Sequence, residues 1–504
     1  MARTATVAGR TTVPDAGRAA GGAPAARVLA AAALVCVTSA CGPGEGAGPG
    51  RAAPGADSGA AAAPGTAAAP GTAARKPDGI WTDRIAVDSG GGHVGPWRMN
   101  DSDWRYVDDP AVALAAAGST VVAWVDQARR AVLLQAYGPD GEPRFAEPTD
   151  VSRSPDVFSW LPRVRIGAEG PDGRRPIHVM WQEIVFSGGT HGGEAFYARS
   201  TDGGRTFGEP VNLSRTPAGD GKGRLTADRW FNGSLDLALG PGGHVYAAWT
   251  AYEGPLWLAR STDGGASFSA PLRVAGSDSA PARGPDLAVG PGDTVHLAWG
   301  VGEDPAADLR LATSGDGGRT FGAPRLVHPG PEHADGPKVE VGADGVVHLV
   351  WGASPGGPFG RSRVLYARST DGGTSFGSPL RVSEPHGERF RSADRPELAV
   401  VGSDTVLATW GLHPSGPRLS RGFGHAVSVD GGRSFGRPSV LTGSVPPPGV
   451  WTGSLQGGFR QRLAAGAGRA AFGWATFRPD RSSRVWLVRG PLAGRAAAEA
   501  GGGS

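Results

Sequence analysis

The sequence predicts an all-β fold, a β-propeller built from four-stranded blades. A short strand that ends in tryptophan recurs seven times, at Trp124, Trp181, Trp249, Trp299, Trp351, Trp410 and Trp474. Most copies follow a glycine-rich hairpin turn and another short apolar strand. An eight-residue turn, STDGGRTF in its first copy, recurs five times, at 200–207, 261–268, 314–321, 369–376 and 428–435. Four short antiparallel strands repeated in this way around an axis form the blades of a propeller.

The tryptophan strands predict seven blades, with six as the alternative. The first unit has a degenerate turn at Gly138–Phe145. The seventh unit shows only three strands, near 462–465, 470–474 and 485–489. We expect the N-terminal segment Ile80–Val87 to supply the missing fourth strand. That pairing would join the two ends of the chain, close the ring and remove an exposed sheet edge.

Composition and charge argue against a nucleic-acid partner and against a disulfide-rich fold. The 504 residues include 84 glycines and 43 prolines, which separate the short strands. The net charge is +3, with 50 Lys and Arg against 47 Asp and Glu, and the arginines are scattered, so no nucleic-acid partner is expected. The two cysteines, Cys36 and Cys41, lie near the N-terminus, which excludes a disulfide framework in the body of the chain. We expect a monomer with no cofactor and no metal.

The N-terminus predicts a secretory signal with a lipid anchor. Four arginines precede the short apolar run Val28–Val37, and Thr38-Ser39-Ala40-Cys41 follows it. The small residues before Cys41 resemble the lipobox of bacterial lipoproteins, although Thr38 stands where leucine is favoured. The resemblance implies cleavage before Cys41, lipid on its sulfur and a place on the outer face of the bacterial cell membrane. The alternative is an ordinary secretory signal with an incidental cysteine.

Composition also sets the expected domain boundaries. Residues 1–40 are expected to form the lipoprotein signal, and 80–495 the propeller. Residues 41–79 consist mostly of alanine, proline and glycine and offer almost nothing to bury, so they are expected to form a disordered tether. Residues 496–504 are expected to form a disordered tail.

The repeated turn resembles the Asp-box of the bacterial neuraminidase repeat, which links the third and fourth strands of sialidase-type blades. An aspartate in such a turn accepts bonds from backbone N–H groups, and glycines take backbone angles that other residues avoid. A calcium loop is the weaker alternative, because its spaced acidic ligands are absent. We therefore expect a structural role for Asp202, Asp263, Asp316, Asp371 and Asp430. The seven tryptophans are expected to pack between blades, with sugar stacking as the alternative.

In a propeller, the loops between blades and the loops after the second strands share one face, which we call the mouth. The mouth is rich in tryptophan, arginine and carboxylate, which suits a polar, ring-shaped or anionic ligand. The candidate aromatic residues for ligand binding are Trp104, Trp160, Trp230 and Trp451.

One position of the first strand is charged in six of the seven units. Aligning these strands brings together Ala111, Arg163, Asp236, Asp286, Lys338, Glu397 and Arg462. One interpretation is a recognition ring that lines the channel. Because three charges of each sign are present, we favour the other interpretation, a network of mutually compensated charges.

The neuraminidase resemblance implies a glycoside hydrolase in which three arginines hold a carboxylate, a tyrosine–glutamate pair is the nucleophile and an aspartate is the acid/base. The chain lacks the Phe-Arg-Ile-Pro motif of sialidases and comes nearest to it at Leu161–Ile166. The candidates for the three roles are Arg163, Arg229 and Arg395, then Tyr252 with Glu253, then Asp109.

Two functional hypotheses follow, and the favoured one is a surface-anchored propeller that binds a glycan or protein ligand at its mouth. The alternative is an exo-α-sialidase-like hydrolase in the same place. An extracytoplasmic scaffold factor is a third interpretation. Hydrolysis requires three arginines that converge on one point with a tyrosine and a carboxylate within reach, whereas binding requires only an aromatic and charged mouth.

Overall fold

A computed structural model describes residues 80–94, 103–115, 118–155, 158–187, 190–215, 225–226, 229–230, 234–250, 254–277, 280–301, 307–328, 332–357, 360–385, 389–414, 420–452, 462–466, 468–478 and 481–492. These residues form seven antiparallel sheets of four main strands and contain no α-helix. Within them there is accordingly no helix that could cross a membrane. The predicted signal, tether and tail lie outside the described residues.

Blades 1 to 6 each contain four strands that follow the chain from the axis outward, and we name them inner, second, third and outer strand. The strands of blades 1 and 2 are Val107–Leu114, Thr120–Asp126, Ala131–Tyr137 and Thr149–Asp150, then Phe158–Ile166, Ile177–Ser187, Thr190–Ser200 and Val211–Asn212. Those of blades 3 and 4 are Leu235–Leu239, Val245–Thr250, Leu256–Ser261 and Leu272–Ala275, then Ala282–Val289, Val295–Val301, Asp308–Ser314 and Arg325–Leu326. Those of blades 5 and 6 are His333–Val341, Val347–Ser354, Arg363–Ser369 and Leu380–Arg381, then Ser392–Val401, Thr405–His413, Phe423–Ser428 and Ser439–Val440.

Blade 7 joins the two ends of the folded chain. Its inner, second and third strands are Leu463–Gly466, Arg469–Arg478 and Ser482–Pro491, and its outer strand is the N-terminal segment Asp83–Gly91. That segment pairs antiparallel with the third strand, with Arg84 opposite Val488. A short strand, Trp451–Thr452, also pairs with the second strand. Seven blades closed by an N-terminal strand are therefore confirmed.

Short elements outside the blades complete the described structure. Two hairpins of two-residue strands, His93–Val94 with Asp103–Trp104 and Leu225–Thr226 with Arg229–Trp230, precede blades 1 and 3. Single 3-10 turns at Pro241–Gly243 and Pro291–Asp293 connect the inner and second strands of blades 3 and 4.

The core is divided among the seven blade interfaces. The inner strands of neighbouring blades lie side by side, and that of blade 7 lies beside that of blade 1. Seven apolar clusters fill the interfaces, and each contains one of the seven repeated tryptophans. These tryptophans are 0 to 2 % exposed, so their faces are not accessible to a sugar. The expected packing role is confirmed.

The five Asp-Gly-Gly turns lie on the face opposite the mouth and have the same hydrogen bonds. In the first, the Ser200 hydroxyl donates to Asp202 Oδ1 at 2.7 Å and accepts from the Gly204 N–H at 2.8 Å. Asp202 also accepts from the Thr206 N–H and hydroxyl. Burial acts to raise the pKa of Asp202, but the bonds from Thr206 and Ser200 outweigh it and lower the pKa to about 2. The turn is therefore held closed by an ionised carboxylate.

The turns also connect neighbouring blades. The second glycine of each turn packs against the blade before it, so that a Cβ atom there would meet Leu134, Tyr197, Tyr246, Leu311 or Tyr366. Each of these glycines has a positive φ, from 73° to 94°. Glycine is required at this position both for its backbone angle and for the close approach.

Candidate functional site

The register of the strands fixes a ring of equivalent residues around the axis. In each blade one inner-strand residue lies opposite the residue that precedes the repeated tryptophan. In blade 7 the corresponding carbonyl accepts the Gly473 N–H at 2.8 Å. These residues, which we call the axial ring, are Ala111, Arg163, Asp236, Asp286, Lys338, Glu397 and Arg462. The alignment made from the sequence is therefore correct.

Ion pairs in the axial ring join neighbouring blades. Arg163 Nε lies 3.3 Å from Asp236 Oδ1, and Lys338 Nζ lies 2.8 Å from Asp286 Oδ2 and 3.8 Å from Glu397 Oε2. Burial raises the pKa of Asp286. Burial acts to lower the pKa of Lys338, but its carboxylate neighbours outweigh this effect and raise it. The geometry is that of a compensated network, as the balance of signs predicts.

The layer beneath the axial ring is mostly alanine. Two residues further along each inner strand lie Ala113, Arg165, Ala238, Ala288, Glu340, Ala399 and Ala464. Burial raises the pKa of Glu340 to about 8, and the positive charge of Arg165 offsets only part of this effect. Arg165 Nη2 lies 3.8 Å from Asp236 Oδ1. This end of the channel is therefore lined mostly by alanine, together with the polar side chains of Arg165 and Glu340.

At the mouth, five inner strands contain the same β-bulge. The strand pairing skips two residues directly before the axial ring in blades 1, 2, 4, 5 and 6. The second skipped residue is always proline, which has no N–H for a ladder bond. The first has φ between 53° and 61° and is Asp109, Leu161, Gly284, Gly336 or Arg395. In each of these blades the bulge places one further side chain above the axial ring. In blades 1, 2, 4, 5 and 6 these side chains are Asp108, Trp160, Arg283, Asp335 and Asp394.

Blades 4, 5 and 6 differ from the others in what lies opposite these side chains. Arg283 is opposite Gly300 in the second strand, and Asp335 is opposite Gly352. Asp394 is opposite Gly411. In blades 1, 2 and 3 the same second-strand position holds Val125, Gln182 and Thr250. We call the three glycines together with Arg283, Asp335, Asp394 and Arg395 the glycine trough, in which Gly300 and Gly411 are buried and Gly352 is partly exposed.

The charged groups of the glycine trough are close together but not hydrogen-bonded to each other. Arg283 Nη2 lies 3.7 Å from Asp335 Oδ1, and Arg395 Nε lies 3.6 Å from Asp394 Oδ1. Both separations exceed hydrogen-bond length. Within the described part of the chain, Arg283 Nε and Nη2 and Asp335 Oδ1 have no hydrogen-bond partner. These three atoms are themselves buried, so a polar ligand can reach only the exposed parts of the two side chains, which are 24 % exposed for Arg283 and 36 % for Asp335.

The predicted site residues are distributed over different layers. Arg163 is 1 % exposed and belongs to the axial ring of blade 2, whereas Arg395 lies at the mouth of blade 6. Asp109 is also buried, and its Oδ2 accepts the Leu161 N–H at 3.3 Å. The structure thus does not bring Arg163 and Arg395 into one layer.

Among the predicted aromatic residues, Trp160 is buried against Phe158 and Tyr106, with ring centroids 6.3 and 6.5 Å away. Trp451 is half-buried beneath the guanidinium of Arg421, whose Cζ lies 4.0 Å from the ring centroid. Tyr252, Glu253 and Cys41 lie outside the described residues. Trp104, Arg229 and Trp230 lie on the two-residue strands, and the description stops at their backbones. No group of three metal-ligating side chains occurs in the described ranges.

Sequence reasoning did not identify Arg283 and Asp335 as site residues, nor the three glycines opposite the bulges. A signal for them is present, because a proline directly precedes the axial-ring position in five of the seven units. That proline predicts an interrupted ladder and a side chain displaced toward the mouth.

The fold and the mouth define the class of protein: a seven-bladed β-propeller with a compensated charged axis and a polar trough at one end.

Solved structures similar to this chain include a protein of unknown function from Dyadobacter fermentans, with 15% identity over 68% of this chain and 99% of that chain and a TM-score of 0.43. They also include the Hadza microbial sialidase Hz136, with 17% identity over 62% of this chain and 63% of that chain and a TM-score of 0.40. A third is the polysaccharide lyase Uly1, with 10% identity over 82% of this chain and 100% of that chain and a TM-score of 0.49.

No protein-family profile and no curated protein matches the chain. At these identities the likeness to the solved structures concerns the fold alone. The propeller that the neuraminidase resemblance implies is confirmed, with seven blades.

Proposed function

We propose that this protein is a surface-anchored, extracytoplasmic propeller that binds a glycan at its mouth, with the glycine trough as the site. The observation that carries the proposal is the pair of separated ion pairs, Arg283 with Asp335 and Arg395 with Asp394, set opposite glycines. Sugar hydroxyls donate to carboxylates and accept from guanidinium groups. The glycines put no side chain of their own beside these groups, and a Cβ at position 300 would already come within 3.5 Å of Asp335 Oδ1.

The backbone of Arg395 supports a binding role for its side chain. Arg395 has φ 53° at the bulge position where blades 4 and 5 have glycine. A left-handed conformation costs a non-glycine residue about 1–2 kcal/mol. Asp109 occupies the same position in blade 1, where it accepts a backbone N–H. Arg395 contacts only Asp394 at 3.6 Å among the described ion pairs, so its side chain is explained better by a ligand than by packing.

The surface chemistry favours a glycan over a protein ligand. Interfaces between proteins are anchored by apolar and aromatic side chains at their centre. Among the described residues the large hydrophobic side chains that are exposed are Leu326 and Leu380, both on outer strands. The trough itself presents charged groups and glycine.

The anchor that we propose is lipid on Cys41. The predicted tether, residues 42–79, would have a root-mean-square span of roughly 35 Å as a flexible coil. A monomeric propeller could then reach ligands near the membrane surface. Replacement of Cys41 by serine should move the full-length protein from the membrane fraction to the soluble fraction. Retention of the Cys41→Ser protein on membranes would show that another feature anchors it.

The binding proposal is tested by a glycan array probed with the full-length protein in detergent. Wild type should bind one class of array member, and Arg283→Gln and Asp335→Asn should each weaken that binding at least tenfold. Arg325→Gln is the matched control, because Arg325 is exposed on an outer strand. Equal binding by all four proteins would place the site outside the trough.

The hydrolase alternative is tested with a fluorogenic sialoside on the wild type and on two further variants, Arg163→Ala and Arg395→Ala. The proposal predicts no turnover. Turnover that disappears in both Arg163→Ala and Arg395→Ala would replace the binding proposal by a sialidase-like mechanism.

A further inference from the structure

The charged groups in and beneath the glycine trough indicate whether the glycan that binds there is charged or uncharged. The trough lies directly above the axial ring of blades 4, 5 and 6, so the two layers act on a ligand together. Lys338 in this ring already lies between two carboxylates, at 2.8 and 3.8 Å. The two layers contain three cationic groups and four carboxylates, which are Arg283, Lys338 and Arg395 with Asp286, Asp335, Asp394 and Glu397.

The arrangement of these charges is unfavourable for an anion. Each trough arginine lies within 3.7 Å of its own aspartate, so its positive charge is largely compensated. A ligand carboxylate or sulfate at the trough would approach Asp335 and Asp394 with further carboxylates below it. Placing like charges together weakens binding. Arg389 and Arg391 stand before the inner strand of blade 6, but both are exposed, and salt screens their charges.

We propose that the trough selects an uncharged sugar with neighbouring hydroxyl groups and discriminates against acidic sugars. Asp335 and Asp394 accept hydrogen bonds from the hydroxyls, and Arg283 and Arg395 donate to them. A site that bonds a hydroxyl in this way rejects analogues that leave its polar groups unsatisfied. This inference rests on the proposed glycan-binding function and adds the charge class of the ligand.

The test uses matched sugars that share the same ring and differ at one substituent, which is either a hydroxyl group or an acidic group. Galactose-, glucose- and mannose-terminated oligosaccharides are presented beside their uronic acid and sulfated counterparts, at about 0.15 M salt, where the Debye length is about 8 Å. The full-length wild type is expected to bind an uncharged member at least tenfold more tightly than its acidic counterparts. Asp335→Asn and Asp394→Asn keep the shape and remove one negative charge each, so both should reduce this ratio at least threefold. Thermal melts confirm that the variants fold, and Arg325→Gln should keep the wild-type ratio.

The outcomes distinguish the inference about ligand charge from the proposal of glycan binding. Tighter binding of acidic members overturns the inference about charge and leaves glycan binding intact. An unchanged ratio in both asparagine variants overturns it as well, because the trough carboxylates would then not be the cause. Absence of binding to every member overturns glycan binding itself, and the inference with it.

Discussion

The hydroxyl of Tyr366 lies 2.6 Å from Nδ1 of His348 inside the interface between blades 5 and 6. Gly432, the second glycine of the blade 6 turn, packs directly against this hydroxyl. His178 and Tyr197 form the same 2.6 Å contact between blades 2 and 3. In blades 3 and 6 the repeated turn therefore has two functions in the fold, because it closes its own blade and also fits against a histidine–tyrosine pair of the preceding blade.

Replacement of Gly432 by alanine should destabilise the protein more than the same change at Gly372. Both glycines have positive φ, 77° and 70°, so each variant loses about 1 kcal/mol of stability through its backbone. Only the Cβ at position 432 would collide with Tyr366, whereas nothing lies within 4 Å at position 372. The collision should add about 1–3 kcal/mol. Chemical denaturation of both variants measures the difference, and equal losses would show that the turn does not fit tightly against blade 5.

Acid should weaken the blade interfaces through their buried histidines. Burial lowers the pKa of His348 to about 4, as it does for His178 and His296. The unfolded chain binds a proton to each histidine below about pH 6.5, while the folded chain does not, so stability falls as pH drops from 6.5 toward 4. The raised pKa of Glu340 acts in the opposite direction.

A comparison with His348→Gln isolates the histidine contribution, because Glu340 is present in both proteins and cancels. Between pH 7 and pH 4.5 the wild type should lose on the order of 2 kcal/mol of unfolding free energy relative to the variant. The measurement is urea denaturation at a series of pH values. Parallel pH profiles for the two proteins would mean that His348 titrates normally in the folded state.

The axial ring should be sensitive to loss of a single charge. Lys338→Met leaves the buried Asp286 and Glu397 without their cation, and removal of one partner of a buried pair typically costs about 3–5 kcal/mol. Arg325→Met on the exposed outer strand of blade 4 should change stability by less than about 0.5 kcal/mol. Thermal melts of the two variants give the comparison. Similar melting temperatures would contradict a compensated network.

Closure of the ring should depend on the N-terminal strand. Deletion of residues 80–91 removes the outer strand of blade 7 and buried Trp81, and exposes the edge of Ser482–Pro491. That deletion should give an aggregated or unfolded product by circular dichroism and light scattering. Deletion of residues 42–79, the predicted tether, should leave the melting temperature unchanged. Normal folding without residues 80–91 would show that the ring is held by its interfaces alone.

The sequence predicted the fold well because each blade carries its own local signals. The strands that end in tryptophan recur in all seven units and the Asp-Gly-Gly turns in five, always in the same order, so one unit serves as the template for the others. The same alignment placed the axial ring correctly, since side chains alternate strictly along a strand and Lys338 and Asp286 occupy equivalent positions.

The site was harder to predict, because it depends on residues from three separate blades. Arg283 and Asp335 are 52 positions apart in the chain, and the packing of blade 4 against blade 5 brings them to 3.7 Å. In the sequence Gly300 is an ordinary strand residue, and only the strand pairing shows that it lies opposite Arg283. The sequence anticipated arginine, carboxylate and tryptophan at the mouth, whereas the trough combines arginine and aspartate with glycine.

Two variants, Gly300→Ala and Gly315→Ala, measure whether the ligand is recognised at the glycine trough. A Cβ at position 300 would lie 3.5 Å from Asp335 Oδ1 and 3.9 Å from Arg283 Nη2, which is ordinary contact, so the protein should fold normally while the space between the charged groups is filled. Gly315 is on the opposite face of the same blade, with nothing within 4 Å. The account predicts that Gly300→Ala lowers affinity for the bound array glycan at least tenfold with an unchanged melting temperature, while Gly315→Ala binds as wild type does. Wild-type affinity in Gly300→Ala would contradict it.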